Sequence, residues 1–129
     1  MEERGKILII LLVSVPGLLW FFACINNGDL RVTKEFQKMG TTSIRIVNDE
    51  GRVLEFEVKV ADEPDERAAG FQNISRSIVQ KTLILFVFPD EVNGLFHMRN
   101  VEASLDIAFI RADGTIVEIL RMDPGATKL

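Results

Sequence analysis

The sequence predicts a mainly β protein, a small antiparallel barrel or sandwich with one short helix, preceded by an apolar N-terminal helix. Apolar and polar residues alternate over residues 54–60, which is the period of a strand with one buried face. Residues 82–88 form an almost unbroken apolar run, as in a strand covered on both faces. The apolar runs 105–110 and 116–122 flank Ala-Asp-Gly at 112–114, a pattern typical of a hairpin.

Length and charge restrict the class of protein. The chain has 129 residues, which is enough for one ordinary domain and too few for two. Its 15 Lys and Arg against 19 Asp and Glu give a net charge of −4, without a basic stripe that could neutralise a phosphate backbone. The composition therefore argues against nucleic-acid binding.

The residues that usually bind metals or act as nucleophiles are scarce. Cys24 is the only cysteine, which excludes an internal disulfide and a multi-cysteine metal site. The single histidine, His97, argues against the common zinc sites. No Gly-rich phosphate loop is present either. We therefore expect no metal and no cofactor, and no pattern in the sequence identifies a reaction.

The N-terminal segment has the composition of a membrane-spanning helix. Residues 7–25 are apolar almost without interruption, and a helix of that length spans roughly 28 Å, about the thickness of the hydrocarbon core of a bilayer. Arg4 and Lys6 precede it, as in an export signal. We expect residues 1–25 to be a signal peptide or a membrane anchor, with the following residues on the extracytoplasmic side.

The end of this segment leaves two alternatives open. Ala23 and Cys24 close the apolar run as in a bacterial lipoprotein, whose signal is cut before a cysteine that then carries lipid. The bulky Phe22, and the acidic Glu2 and Glu3 beside the first basic residues, favour an uncleaved anchor instead. Both alternatives tether the domain to the membrane and place it in the cell envelope.

The next residues connect this segment to the first strands. Residues 26–42 are mixed in character and are interpreted as a linker, with a short helical turn around 34–39. Alternation over 43–46 indicates a strand, and Asn-Asp-Glu-Gly at 48–51 supplies a turn before the strand at 54–60.

One short helix is predicted after the strand at 54–60. Asp62 can cap it, Pro64 lies in its first turn where no N–H is needed, and Gly70 ends it. Residues 95–98 add another short strand. Together these elements predict a single β-rich domain over residues 43–129.

Polar side chains interrupt the apolar residues between 96 and 110. If Asp106 faces inward, its carboxylate needs a cation or several N–H donors, and Arg99 is the nearest cation in the sequence. In one interpretation Asp106 is a structural tie that accepts from the backbone N–H groups of residues 100–104. In the other, Arg99, Asn100 and Asp106 converge on a cleft that binds a polar ligand.

Two residues of the predicted helix also have two alternative roles. Glu66 and Arg67 could form a bridge to the sheet or extend the cleft. His97 is interpreted as a strand residue rather than a base, because the sequence identifies no acid or nucleophile partner. A set of aromatic residues is assigned to the core: Phe86, Phe88, Phe96 and Phe109.

Several short motifs occur in a recognisable order. They are Val58-Lys59-Val60-Ala61-Asp62, Glu66-Arg67 with Gly70, Leu85-Phe86-Val87-Phe88, Phe96-His97-Met98-Arg99-Asn100, and Leu105-Asp106-Ile107-Ala108-Phe109-Ile110 with Asp113-Gly114. In their order and spacing, from about Phe56 to Pro124, they resemble the prokaryotic family called domain of unknown function 192. The resemblance implies a compact β-rich domain, often exported or lipid-anchored, with no established activity.

The chain departs from that family's pattern at several positions. They are Phe71-Gln72 for leucine-methionine, Leu83-Ile84 for glycine-methionine, His97 for tryptophan, Arg99 for lysine, Val101 for threonine and Ser104 for proline. Family members also continue with another strand beyond the position of Leu129. The resemblance therefore implies a diverged, C-terminally shortened member, and we expect an unpaired sheet edge near residues 116–122.

Two classes of function follow from these residues. The favoured one is a membrane-tethered binding or accessory domain for a polar small ligand or an envelope protein, with five candidate binding residues: Glu66, Arg67, Arg99, Asn100 and Asp106. The alternative is a hydrolase-like enzyme that uses Asp106 or Glu66 as general acid or base, which requires a second carboxylate within about 5–10 Å. If every polar group is paired internally, a purely structural scaffold is left.

Overall fold

The computed structural model describes residues 8–12, 30–89 and 96–124. In these residues the protein is mainly β, as predicted, with six strands and three short helices where one helix was expected. The strands are β1 (Leu8–Leu12), β2 (Gly40–Val47), β3 (Val53–Ala61), β4 (Ile84–Val87), β5 (Leu105–Ile110) and β6 (Ile116–Met122). The helices are α1 (Lys34–Lys38), α2 (Pro64–Ala69) and α3 (Arg76–Val79).

The strands form one open sheet rather than a barrel or a sandwich. Their order is β2-β3-β4-β1-β5-β6, so β2 and β6 are its edges within the described residues. The pairing is antiparallel except between β3 and β4, which run parallel. The sheet is thus mainly antiparallel, with the β3–β4 pair as the exception. The chain between these two strands contains α2 and α3, and such a crossover returns it to the end of the sheet where β3 began.

The hairpin predicted after residue 43 is confirmed as β2 and β3, which pair from Gly40 opposite Val60 to Val47 opposite Val53. In the turn between β2 and β3, the side-chain oxygen of Asn48 accepts hydrogen bonds from the N–H groups of Glu50 (3.0 Å) and Arg52 (2.9 Å). An asparagine that binds its own turn in this way favours a tight reversal of the chain.

The segment interpreted as a linker contributes to the folded core. The predicted helical turn is α1, and Phe36 and Met39 are each only 4% exposed. The ammonium group of Lys59 on β3 lies 4.6 Å from the centre of the Phe36 ring and donates to the Phe36 carbonyl at 3.2 Å. The folded unit thus includes residues that precede residue 43.

Apolar side chains cover both faces of the central strands. On the face toward the helices, a cluster that includes Ile84, Phe86 and Ile107 forms the main core. On the opposite face Ala108 and Ile110 form a second, smaller cluster. Three partly buried residues pack against this second cluster: Ile44, Leu85 and Ile116. This two-sided burial explains why the sequence of β4 is apolar throughout.

At Leu8–Leu12 the structure has a strand, where a helix over residues 7–25 was predicted. These five residues form β1, which lies between β4 and β5 and is antiparallel to both. The rest of the apolar segment, including Cys24, lies outside the described residues. None of the described helices is long and apolar enough to cross a membrane.

Candidate functional site

Asp106 lies on β5 and pairs with Arg121, which is directly opposite on β6. Two guanidinium nitrogens of Arg121 donate to the two carboxylate oxygens of Asp106, at 2.8 and 3.0 Å. This hydrogen bond and the charge of Asp106 raise the pKa of Arg121 above its ordinary value. The pair is solvent-accessible, with side-chain exposures of 53% for Arg121 and 23% for Asp106.

The predicted partner of Asp106 was wrong. Within the described residues its carboxylate binds Arg121 rather than Arg99, and no backbone N–H of residues 100–104 donates to it. The hydroxyl of Ser104 donates instead to the carboxylate of Asp123, at 2.8 Å. Asp106 therefore ties two strands of a hairpin together and does not tie the loop that precedes β5.

Arg99 and Asn100 form a tight turn on the surface. Asn100 has a φ of 59°, in the left-handed region that asparagine tolerates better than most residues. Its carbonyl accepts a hydrogen bond from the N–H of Asn73 at 2.9 Å, and the Arg99 N–H donates to Nδ1 of His97 at 3.3 Å. At the described residues 96–98, His97 makes a single β-bridge in place of the strand predicted at 95–98.

Glu66 is buried, with 3% of its surface exposed, although its side chain is polar. Its Oε1 atom accepts hydrogen bonds from the N–H groups of Glu63 (3.1 Å) and Asp62 (3.3 Å) at the start of α2. Glu63 is the N-cap, so Asp62 was the wrong residue for this role. The carboxylate of Glu66 satisfies backbone donors that a helix start leaves unpaired, which makes it a structural residue.

Arg67 follows Glu66 on α2 and connects the helix to β4 and to the residue that follows β3. Its Nη1 atom donates to the carbonyl oxygen of Val87 at 3.0 Å and to that of Asp62. The guanidinium lies over the ring of Phe88, 5.4 Å from its centre. The bridge to the sheet expected for this position is therefore present. The other guanidinium N–H groups make no hydrogen bond to the described part of the chain.

A cleft of about 270 Å³ opens beside Arg67, between α2 and the sheet. Most of its lining is apolar, and we call it the aromatic cleft. It is lined by Arg67, Ala68, Ala69, Gly70, Phe71, Gln72, Phe86, Phe88, Phe96, His97, Met98, Val101, Leu105 and Ile107. Of the five candidate binding residues, only Arg67 is among these. Whether any of the five binds a ligand stays a prediction.

Aromatic rings give the cleft its fixed wall. Phe96 packs edge-on against Phe86 and Phe109, with ring centres 5.9 and 6.4 Å apart. Gly70 has a φ of 47°, and a Cβ atom there would lie 3.3 Å from the ring of Phe86. The backbone conformation therefore favours glycine, and any larger residue would also have to displace this ring slightly. Three of the four aromatic residues assigned to the core, Phe86, Phe88 and Phe96, therefore also line the cleft, whereas Phe109 packs behind Phe96.

Sequence reasoning did not place Gln72 or His97 beside Arg67. Gln72 follows α2, whereas His97 lies much further along the chain. Only the packing of α2 on the sheet brings both to one cleft. A usable signal was Gly70, because a glycine that ends a helix next to a buried aromatic strand often marks a close backbone approach. No group of three potential metal-ligating side chains occurs among the described residues.

Fold and site together define a small, mainly β domain with an aromatic cleft beside an arginine. A family model confirms the resemblance seen in the motifs. The model of the DUF192 family, described as an uncharacterized ACR, matches residues 45–128, and the chain belongs to this family. No curated protein and no solved structure matches the chain.

Proposed function

We propose that this chain is a membrane-tethered binding domain of the cell envelope. The aromatic cleft binds a small ligand that has an apolar body and one acidic or carbonyl group. The observation that carries this proposal is the position of the Arg67 guanidinium, on the wall of an otherwise largely apolar cleft. Pockets of this kind typically combine an apolar lining with few polar groups that fix the orientation of the ligand.

The hydrogen bonds of Arg67 support a role toward a ligand. Its Nη1 atom is held by the carbonyl oxygens of Asp62 and Val87, which fixes the guanidinium plane over Phe88. Among the described residues that line the cleft, no carboxylate neutralises its charge. A preorganised guanidinium of this kind binds carboxylate and carbonyl oxygens with little further ordering.

The size and lining of the cleft narrow the class of ligand. Its volume of about 270 Å³ is just below the usual range of roughly 300–1,000 Å³ for ligand sites. The aromatic wall of Phe86, Phe88 and Phe96 favours an aliphatic or aromatic body over a sugar with many hydroxyl groups. A medium-chain carboxylate has this combination of body and head group.

The hydrolase alternative has no support from the described residues. The carboxylate of Glu66 accepts from the start of α2, and that of Asp106 is occupied by Arg121. The described lining of the cleft contains neither aspartate nor glutamate, and so offers no pair of acid and base groups. We therefore propose binding rather than catalysis.

The tether is the second part of the proposal, and the N-terminal sequence supports it. The apolar residues 7–25 follow Arg4 and Lys6, and Cys24 closes the run. Expression of the full chain in a bacterial host, followed by separation of membrane and soluble fractions, tests this part. Membrane recovery indicates a lipoprotein if a peptide that begins at an acylated Cys24 is found and disappears under globomycin. Membrane recovery without acylation indicates an uncleaved anchor. Recovery in the soluble fraction contradicts the tether.

Ligand binding is tested on the full chain in detergent with three probes of one length: octanoate, octanol and octylamine. A charge-assisted hydrogen bond contributes about 1.5–3 kcal/mol, which is roughly a tenfold to hundredfold change in Kd. We expect octanoate to bind most tightly and octylamine least, measured by calorimetry or by NMR shifts of the cleft methyl groups. Equal affinities for all three probes would contradict a role of Arg67 in selecting the ligand.

Three variants complete this test. Arg67→Gln should remove the preference for octanoate, whereas Arg111→Gln, at an exposed position outside the cleft lining, should keep it. Because Arg67→Gln also loses the bonds to Asp62 and Val87, Ala69→Leu provides a second variant that fills the cleft and leaves Arg67 in place. Binding that survives Ala69→Leu in a folded protein would show that the ligand lies elsewhere.

A further inference from the structure

One of the two central strands of the sheet, β1, comes from the apolar N-terminal segment of the chain. β1 pairs with β4 from Leu8 opposite Val87 to Leu11 opposite Ile84. It pairs at the same time with β5 from Leu8 opposite Ile110 to Leu12 opposite Asp106. We call the space that β1 occupies between these two strands the β4–β5 slot.

This slot cannot stay empty in a stable domain. Ile84, Phe86 and Ile107 beside it are at most 2% exposed, so the backbone here lies in the core. Without β1, the N–H and C=O groups that β4 and β5 direct toward it would lose their partners in an apolar environment. Buried backbone groups in native structures are almost always paired, so an alternative strand must replace β1 whenever it leaves.

The same residues have a competing destination. Leu8–Leu12 belongs to the apolar run of residues 7–25, whose length and flanking charges are those of a membrane or signal segment. These five residues cannot be in a bilayer, or removed with a signal, and in the slot at the same time. This step rests on the membrane tether proposed above.

We infer that the β4–β5 slot is a strand-acceptor site. When the N-terminal segment is in the membrane or has been removed, the slot binds an extended apolar stretch of another envelope polypeptide, which adds to the sheet antiparallel to both neighbours. Strand addition of this kind obtains affinity from main-chain hydrogen bonds and specificity from the pockets for alternate side chains. The seated β1 shows that a strand fits there and in which register.

The residues beside the slot define the chemistry of the incoming strand. On the face toward the helices it meets the main core, which includes Phe86 and Ile107. On the opposite face it meets the smaller cluster around Ala108, against which Leu85 packs. The fifth position of the slot, that of Leu12, lies opposite Asp106, whose carboxylate is paired with Arg121. The partner segment is therefore uncharged on both faces over about four residues, unlike an ordinary edge strand with one polar face.

A register-specific disulfide tests this inference. The acceptor is the full chain in membrane vesicles with Cys24→Ser and Leu85→Cys, so that residue 85 carries its only thiol. The probe is a synthetic peptide with the sequence of residues 6–13 and Ile10→Cys, because Ile10 lies opposite Leu85. The matched control peptide carries Leu11→Cys instead, which moves the thiol to the other face of the strand. With copper–phenanthroline in air as the oxidant of the two thiols, we expect a mixed disulfide with the probe and its loss with the control.

A second acceptor reports whether β1 itself stays in the slot. It combines Cys24→Ser with Ile10→Cys and Leu85→Cys, and its internal disulfide is measured without peptide. In the membrane fraction we expect this disulfide to be absent. Its formation there would overturn strand exchange while leaving the tether intact, and so would failure of the probe peptide to react. Recovery of the chain in the soluble fraction with the internal disulfide formed would overturn the tether and the exchange together.

Discussion

Two arginines show how different two sites in one small domain can be. Arg121, on the β5–β6 hairpin, is held by both oxygens of Asp106, so its charge is neutralised within the protein. Arg67, beside the aromatic cleft, is held by carbonyl oxygens and by the ring of Phe88, which orient it without neutralising it. In the first arrangement the arginine is paired within the protein, whereas the second leaves a positive charge for a ligand. A binding site is therefore better sought where a cation is fixed by neutral groups.

The largest difference between the two regions is expected from truncation of their apolar residues. Phe86 is buried in the cleft wall and the core, and Phe86→Ala should lower the free energy of unfolding by about 3–5 kcal/mol. Ile119 on β6 is 57% exposed, and Ile119→Ala should change it by less than about 0.5 kcal/mol. Urea denaturation of both variants measures the contrast. Similar losses for the two would mean that the cleft wall is not part of the cooperative core.

Glu66 should give the next largest effect, because its carboxylate is buried beneath the cleft helix. Glu66→Ala leaves the N–H groups of Asp62 and Glu63 without their acceptor, and we expect a loss of about 1–3 kcal/mol. Glu66→Gln keeps an oxygen at the same place and should lose much less. Thermal melts of the two variants decide between a capping role and a role of the charge: equal losses would indicate that the negative charge itself is needed.

A smaller effect is expected from the solvent-accessible pair on the hairpin. Asp106→Asn and Arg121→Gln should each destabilise the protein less than Glu66→Ala, because exposed ion pairs contribute little. The double variant should be less destabilised than the sum of the single ones, since both changes remove one interaction. Octanoate binding should be unaffected in all three. A loss of binding in Asp106→Asn would move the ligand site to the β5–β6 face.

The smallest effect concerns pH. The ammonium of Lys38 on α1 lies 2.6 Å from the carboxylate of Asp65 on α2, which lowers the pKa of Asp65 and raises that of Lys38. The lowered pKa of Asp65 means that its carboxylate stabilises the fold above about pH 4. This stabilisation is lost as the pH falls through the pKa of Asp65 in the folded protein. The raised pKa of Lys38 means that its ammonium group stabilises the fold below about pH 10.4. This stabilisation is lost as the pH rises through the pKa of Lys38 in the folded protein.

The β5–β6 turn supplies the control for this prediction. The pKa of Asp113 is lowered by the backbone N–H of Thr115, so its contribution is lost only in acid. Lys38→Gln should therefore flatten the alkaline side of the stability profile, and Asp113→Asn should leave that side unchanged. Melting temperatures between about pH 3 and 11 measure both profiles. An unchanged alkaline side in Lys38→Gln would show that α1 and α2 are not coupled through this pair.

The sequence by itself determined most of the local structure. Alternation over residues 54–60 predicted β3, Pro64 and Gly70 bounded α2, and the Asp-Gly turn predicted the β5–β6 hairpin. These features depend on backbone propensity and on the period of burial, which are properties of neighbouring residues. The motifs along the chain were also sufficient to identify the family.

The tertiary structure decided which distant groups meet. A β-bulge near Phe109 and Ile110 shifts the β5–β6 register by one residue, so that Asp106 faces Arg121 rather than Leu120. A parallel β3–β4 pair, and a strand from the N-terminal segment between β4 and β5, depend on long-range pairing that no local pattern encodes. The position of Arg67 beside Phe88 and Phe96 follows from that same pairing, because the cleft forms only where α2 packs on the finished sheet.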